Sequence, residues 1–308
     1  KRPHVILTPS PPLTSGLLAI LLAKLKGAKT IYNVQEIYPD LLINLGHLKN
    51  TFLINFLKRL ERFVYNSSNA VTTIDKQFCN IIKPRIKQES SLHIIPNFVD
   101  TDLYVTESST KLPAEFLSEP GFTNMLYAGN IGLAQEWDLV LNLAKEIRDE
   151  FITIWIIGEG VKKEYLKSQI QKHDLSNIKL LPYQNRKFMP AINLFADFHF
   201  IAMDKSMENE GFPSKVYSIM ASGRPMVIVS SENTPITSFL NETDTSLFVT
   251  DHSLSGFKNA VLKLAQDKEL RISLGANGRK IIDQDYTKEK VINQYFALFE
   301  KIVSKNNS

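Results

Sequence analysis

Cysteine is all but missing from the 308 residues. Cys79 stands alone, which excludes an intrachain disulfide and any cysteine-based zinc site. Long apolar runs are missing as well: nothing approaches the roughly 18 consecutive apolar residues of a membrane span. The richest stretch, Leu17 to Leu25, is interrupted by Lys24 and reads as a buried helix. The opening Lys1-Arg2-Pro3-His4-Val5-Ile6-Leu7 carries no initiator Met and no signal-peptide apolar core, so nothing marks the chain for export. With the lone thiol, this predicts a reducing, cytoplasmic setting. The histidines at 4, 47, 93, 173, 199 and 252 show no metal-ligand spacing. His199, inside an apolar run, reads as a satisfied core residue. Neither a Gly-x-Ser-x-Gly elbow nor a full Gly-x-Gly-x-x-Gly is present, which argues against serine hydrolysis and against a nicotinamide cofactor.

What is present is a soluble globular balance, 44% apolar and 22% charged, incompatible with disorder or a coiled coil. The net charge of +4 is unevenly spread: residues 1–100 carry 13 Lys and Arg against 6 Asp and Glu, and the remainder is net acidic. Such asymmetry fits an anionic partner for the first part, either a membrane surface or a phosphorylated acceptor, or it merely aids solubility. Nucleic acid is disfavoured, since no basic run is interleaved with aromatics and no reading-head motif appears.

Short β-branched runs alternate with amphipathic stretches from end to end, the signature of parallel sheets with crossover helices. Strands are predicted at 5–8, 30–34, 70–73 and 92–95, then at 124–127, 152–157, 178–181, 197–201, 225–229 and 246–248. Helices are predicted at 15–26 and 50–66, after nearly every later strand, and at 288–305. Residues 97–121 are rich in Ser, Thr, Pro and acids and read as interdomain. The division is therefore a first Rossmann-like domain over 1–99 with the returning helix 288–305, a linker over 100–122, and a second Rossmann-like domain over 123–287. With about four strands where such sheets usually have five to seven, the first domain reads as incomplete. The expectation is that elements ordinarily preceding residue 1 lie outside this sequence, removed by truncation or supplied by a partner chain. An open strand edge near residues 5–8 would then favour self-association.

Three segments carry chemistry. Tyr127-Ala128-Gly129-Asn130-Ile131-Gly132 sits where a strand is expected to turn into a helix from about Ala134. Glycines there let backbone N–H groups approach an anion. A second such turn, Gly158-Glu159-Gly160, follows the next strand, and both belong at the carboxyl edge of one parallel sheet. The third runs from Glu208 to Pro225 (ENEGFPSKVYSIMASGRP): an acidic loop, then a short helix begun by Pro213 and Ser214. Ser214 and the free N–H groups after it can hold a phosphate, Lys215 adds a point charge, and Ser218 lies one turn along. Glu210 can accept hydrogen bonds from sugar hydroxyls. A plain capped helix with a solvated loop explains the same residues.

In order along the chain, YAGNIGLAQ, WIIGEG, LLPYQNRKFMP, FADFHFIAM, EGFPSKVYSIMASGRPMVI and LGANGRKIIDQDYT resemble the donor domain of retaining GT-B glycosyltransferases of family 4. The resemblance is narrower to the branch that includes fucosaminyltransferases of surface-polysaccharide synthesis. IIPNFVDTDLY resembles the family's interdomain segment, and NVQEIYPDLL, LGHLKN and LERFVYNSSNAVTTIDKQF its acceptor domain. The family domain usually begins some 90–100 residues earlier, in line with the missing strands. The resemblance implies an α/β fold of GT-B type, with parallel sheets in two Rossmann-like domains. It also implies that Gly129 and Gly132 bring backbone to the donor diphosphate and sugar, with Gly158 beside them. Tyr183 and Gln184 would lie beside the nucleobase. Glu210 matches the first Glu of a Glu-x7-Glu motif, and Gly211, Phe212, Pro213, Ser214 and Lys215, followed by Val216, would line the donor. The second Glu is replaced by Ser218, and Asn130 and Gln135 stand where many relatives carry Arg and Lys. Lys215 would take over their charge. Glu36, after Gln35, is the expected acceptor-side polar group or base, so that Glu36, Glu210 and Lys215 form the implied catalytic set.

The implied reaction moves a hexosyl or N-acetylaminosugar unit, with retention, from a UDP-linked donor to a lipid-linked or saccharide acceptor. No metal or other cofactor is expected. Asp100-Thr101-Asp102, a formal Asp-x-Asp, falls in the linker and reads as a turn. The helix 49–66 sets Phe52, Leu53, Phe56, Leu57, Leu60, Phe63 and Val64 on one stripe with Lys58, Arg59 and Arg62 near its edge. Both a core-facing helix and a peripheral helix on an anionic membrane fit that stripe. Two other functions stay open: a nucleotide-sugar-binding chain that is non-catalytic or partner-dependent, and a UDP-sugar 2-epimerase.

Overall fold

The computed structural model describes residues 2–44, 46–104, 111–209, 211–241 and 243–304. It divides into two compact units, Lys1–Phe98 with Lys288–Ser308, and Val99–Thr287.

The first unit runs β1 (Val5–Ser10), α1 (Leu13–Lys26), β2 (Lys29–Val34), α2 (Asp40–Asn44), α3 (Thr51–Ser67), β3 (Ala70–Thr73), α4 (Lys76–Ile82) and β4 (Leu92–Ile94). Among the described residues these strands form one parallel sheet in the order β1-β2-β3-β4. The buried positions of α1 are Leu13, Gly16, Ala19, Ile20 and Ala23, one helical face. Gly16 lets α1 approach closely, because a Cβ there would lie 2.5 Å from Val64 and 2.8 Å from Tyr32. The helix stops at Gly27, whose φ of 66° suits a glycine. Asn50 and Asp75 cap α3 and α4 by accepting the N–H of Leu53 and Phe78.

Solvent reaches much of this unit's apolar surface. Strand β1 lies at a sheet edge, and Leu7, Leu18, Leu21, Leu22 and Leu25 are exposed. The stripe on α3 is split: Val64 is buried, whereas Phe52 is 83% exposed and Leu53, Phe56 and Phe63 are also open. A purely core-facing helix is therefore not what forms.

The second unit runs β5 (Thr123–Ala128), α5 (Trp137–Glu146), β6 (Ile152–Ile157), α6 (Lys163–Lys172), β7 (Ile178–Leu181), α7 (Met189–Phe195), β8 (Phe198–Ala202), α8 (Lys215–Ala221), β9 (Met226–Val229), α9 (Pro235–Leu240), β10 (Ser246–Val249), α10 (Leu254–Gln266) and α11 (Lys268–Asp285). Its strands are parallel in the order β10-β9-β8-β5-β6-β7. The two faces divide by alternation: Phe198, Phe200 and Ala202 join the layer of Trp137 and Phe257, while Ile201 and Met203 join that of α8. Helix α12 (Lys288–Ser304) returns to the first unit, where Val291, Leu298 and Ile302 cover Ile31 and Ala70.

Residues 100–122, expected as a linker, belong to the second unit where described. One of their aromatics anchors them: Phe116 is buried and stacks on Trp155 at 5.5 Å. Just before them, Val99 donates to the Tyr286 carbonyl at 3.1 Å. Asp100 accepts the Leu103 N–H, so the Asp-x-Asp is a turn. His199 is 1% exposed, with Nε2 3.2 Å from the Asn193 carbonyl, and burial drives its pKa down to about 3. Helix α5 starts at Trp137 rather than near Ala134, because the preceding backbone bonds to the end of β8 instead: Glu136 donates to Ala202 and Asp204 to Ala134.

A buried ion cluster ties α2, α3 and the turn after α4 together. Arg85 reaches both Glu61 oxygens, at 2.8 and 3.1 Å, and Asp40 at 2.5 Å, while Tyr65 donates to Glu61 at 3.0 Å. Glu61 is 1% exposed, so Arg85→Ala strands its charge and is expected to cost about 3–5 kcal/mol in urea unfolding. Lys83→Ala, which breaks an exposed pair with Glu89, should cost under about 1 kcal/mol. Equal losses would contradict this account of the cluster.

Candidate functional site

From β5 the second sheet grows one way through β6 and β7 and the other way through β8, β9 and β10. The direction in which strands are added thus reverses between β5 and β8, and α/β sheets bind ligands outside the carboxyl ends of strands at such a switch point. Two segments border it: the turn Gly129–Gly132 after β5, and the loop and helix α8 after β8.

The turn is held from several sides. Tyr127 donates its hydroxyl to the Asn130 carbonyl at 2.7 Å, and Trp137 Nε1 donates to the Gly132 carbonyl at 2.9 Å. The Ile131 N–H donates to Glu159 at 2.8 Å, in the neighbouring glycine turn. The two turns interlock only because they lack side chains: a Cβ on Gly158 would lie 1.9 Å from the Gly129 carbonyl, and one on Gly160 would lie 2.3 Å from that of Ile131. Gly158 therefore serves close packing, with φ at 151°, rather than offering an open surface to a ligand.

Lys215, the first residue of α8, reaches back to this turn. Its Nζ lies 3.5 Å from the centroid of the Tyr127 ring, and a Cβ on Gly129 would fall 2.7 Å from it. The residue as a whole is half-buried, yet its ammonium is sealed from solvent and, among the described residues, has no hydrogen-bond acceptor. The ring quadrupole offsets part of that cost. Burial nonetheless drives the pKa from its ordinary 10.5 to about 7. A sealed ammonium without an acceptor, at the switch point and beside a glycine turn, is receptive to an anion.

Other expected residues divide. Gly129, Asn130 and Gly132 lie in the turn, Asn130 exposed with its amide against Gly132 and Gly160. Ser214 is exposed and caps nothing, and Gly211 and Pro213 are half-buried before α8. Glu210 lies outside the described residues. Tyr183 is exposed, whereas Gln184 is buried and bonded to Glu115 at 3.3 Å and to the Pro182 carbonyl at 3.2 Å. Two expectations, those for Val216 and Ser218, need correction, while Gln135 and Phe212 make contacts that leave theirs standing. Gln135 pairs by its backbone with Met203. Phe212 packs in an aromatic group with Tyr217 and Phe239. Val216 is fully buried in the core behind α8. Ser218 does not share Lys215's aim, since its hydroxyl donates to the Lys215 carbonyl at 2.9 Å and meets Tyr104. In the first unit Glu36 is half-buried just past β2, its carbonyl accepting from Ser10 at 3.3 Å. Gln35 beside it is fixed by Asn33 and Asn97. Tyr127 and Trp137 also build the site, beyond the residues the sequence points to; the aromatic just ahead of the glycine turn is the sequence signal for the first.

Comparison with known proteins places this geometry. The family model described as glycosyl transferases group 1 matches residues 109–281. The chain is 27% identical over 222 residues to the putative colanic acid biosynthesis glycosyl transferase WcaI of Escherichia coli, covering 70% of this chain and 54% of WcaI. It is 23% identical to the probable glycosyltransferase WbjE of Pseudomonas aeruginosa over 99% of this chain and 76% of WbjE. Among solved structures, Anabaena HepE in complex with UDP and glucose superposes with a TM-score of 0.74 at 13% identity, covering 96% of this chain and 77% of HepE. The chain thus spans only about half of WcaI. With two parallel α/β units and a family match over more than half its length, the chain belongs to the group 1 glycosyl transferases and has their GT-B fold.

Proposed function

We propose that this chain transfers a hexosyl or N-acetylaminosugar unit from a UDP-linked donor to a lipid-linked or saccharide acceptor, with retention, in surface-polysaccharide synthesis. The branch that includes fucosaminyltransferases is the model for its donor and acceptor. The observation that carries the reading is the sealed Lys215 ammonium beside Gly129 at the switch point. In this reading the donor diphosphate supplies the missing acceptor, and Lys215 stabilises the charge that builds on the departing nucleotide, as preorganised groups do in dry sites. Backbone of Gly129, Asn130 and Gly132 and the hydroxyl of Ser214 hold the same group. Glu210 receives the sugar and Glu36 acts on the acceptor side. No metal or other cofactor is called on.

Helix α3 supports a peripheral contact with an anionic membrane, since exposed Phe52 and Phe56 share it with exposed Arg59 and Arg62. The double substitution of Phe52 and Phe56 to Ser should lower partition onto phosphatidylserine vesicles at least ~tenfold. Unchanged sedimentation with the vesicles would contradict it.

Replacing Lys215 separates binding from stability. Lys215→Ala should weaken UDP binding by roughly 1.5–3 kcal/mol and leave uridine nearly unaffected. Lys215→Met removes a buried charge without opening a hole, so the ligand-free protein should melt about 2–4 °C or more higher. Equal losses for UDP and uridine, or a lower melting temperature for Lys215→Met, would count against the assignment.

The pH dependence follows from the lowered pKa. Between about 7 and 10.5 the unfolded chain holds a proton that the folded, ligand-free protein does not, so stability should rise with pH across that window. A bound diphosphate favours the ammonium form, so UDP binding should take up a proton above pH of about 7. Affinity should therefore fall from there toward alkaline pH, by at most about tenfold per pH unit. Titration calorimetry in buffers of different ionisation enthalpy measures that uptake, and zero uptake at about pH 8 would contradict the prediction.

A further inference from the structure

One imidazole ties down the loop that leads from β8 to Lys215. His252, in the turn after β10 with φ at 57°, is buried. Its Nδ1 lies 2.7 Å from Glu136 Oε2 and its Nε2 lies 3.1 Å from Glu208 Oε2. The Ser231 N–H donates to that same Glu208 oxygen at 2.8 Å and the Ser230 hydroxyl at 3.3 Å, while Ser231 Oγ stands 3.4 Å from His252 Nε2. Burial by itself would push Glu208 up, but Ser231 and His252 outweigh it and hold the carboxyl below its ordinary range. The charged groups around the ring are Glu136 ahead of α5, Glu208 in the loop, and Asp251 beside it in the chain. Two carboxylate acceptors, one at each ring nitrogen, are met together only by the imidazolium, which donates from both.

The two carboxylates belong to the two borders of the site. Glu136 closes the segment that follows the turn Gly129–Gly132, and its own N–H is bonded to Ala202. Glu208 sits in the loop that enters α8 at Lys215. The start of the loop is held by backbone, Asp204 donating to Ala134, and Met207 and Ser206 fold back on Asp204; among the described residues beyond that start, Glu208 is a long-range side-chain anchor. Resting on the donor-site reading above, we propose that His252 is a positioning residue whose imidazolium latches the β8–α8 loop to the segment ahead of α5, so that releasing the latch weakens donor binding.

Amide exchange of residues 204–209 and calorimetry with UDP test this on the full chain. Corrected for intrinsic rates, loop protection should fall at least about fivefold when the ring is removed. His252→Gln should show that fall, measured at one fixed pH. Its dissociation constant for UDP at about pH 6 should be at least about fivefold larger, with Lys215-dependent proton uptake at alkaline pH retained. Glu136→Gln, which leaves the ring in place at a half-buried position, should repeat the loosening and serves if His252→Gln does not fold. Loop protection indifferent to both substitutions would overturn the latch, as would a loosened loop with unchanged UDP affinity. Failure of the unsubstituted protein to bind UDP would sink the donor reading and the binding role with it, while loop exchange would still decide whether His252 holds the loop.

Discussion

The second unit is organised around an ammonium that has nowhere to go. Lys215 Nζ is sealed, lacks an acceptor among the described residues, and leans on the face of Tyr127. Holding it there constrains everything near it. Position 129 favours glycine, since its φ is 151° and a Cβ there would fall 2.7 Å from the ammonium. The Tyr127 ring has to be rigid, and it is, packed edge-on against Trp137 at 5.0 Å and bonded to the Asn130 carbonyl. Trp137 in turn fixes Gly132. A polar group left unsatisfied in an apolar seat is a cost that a purely structural lysine would avoid. An arriving anion removes that cost.

Much of this architecture is legible in the sequence because it is local. The β-branched runs at 70–73, 152–157 and 178–181 form strands with those same limits, since alternation and turn residues act within a few positions. Both glycine turns lie at the carboxyl edge of one sheet, as a parallel reading requires. What escaped the reading depends on residues distant in sequence. The start of α5 shifts to Trp137 because β8, some sixty residues later, captures the backbone of 134–136. Val216 and Phe212 share the motif that carries Lys215, but helical geometry turns Val216 into the core and Phe212 packs against Tyr217 and Phe239. Nothing local hints that His252 meets Glu136 and Glu208, or that Arg85 meets Glu61 and Asp40.

The first unit combines opposite features. Its interior is unusually polar at one point, where Arg85, Glu61 and Asp40 converge, and its surface is unusually apolar along α1 and α3. A buried ion cluster contributes little net stability but strongly penalises any arrangement that separates its members. It therefore fixes how α2 and α3 pack while the outer leucines and phenylalanines of α1 and α3 stay free for contact. The chain Thr72–Asn33–Gln35–Asn97 does similar work beside Glu36, holding the end of β2 by side-chain hydrogen bonds.

The central claim is that the Lys215 ammonium awaits a diphosphate, and nuclear magnetic resonance of the lysine side chain reports on it without catalysis or acceptor. In the free protein the Lys215 Nζ signal should titrate near pH of about 7. With saturating UDP the midpoint should move up by at least about one pH unit, since an opposite charge at close range favours the ammonium. A midpoint that stays where it was, while UDP binding is evident from other resonances, would place the diphosphate elsewhere and contradict the account.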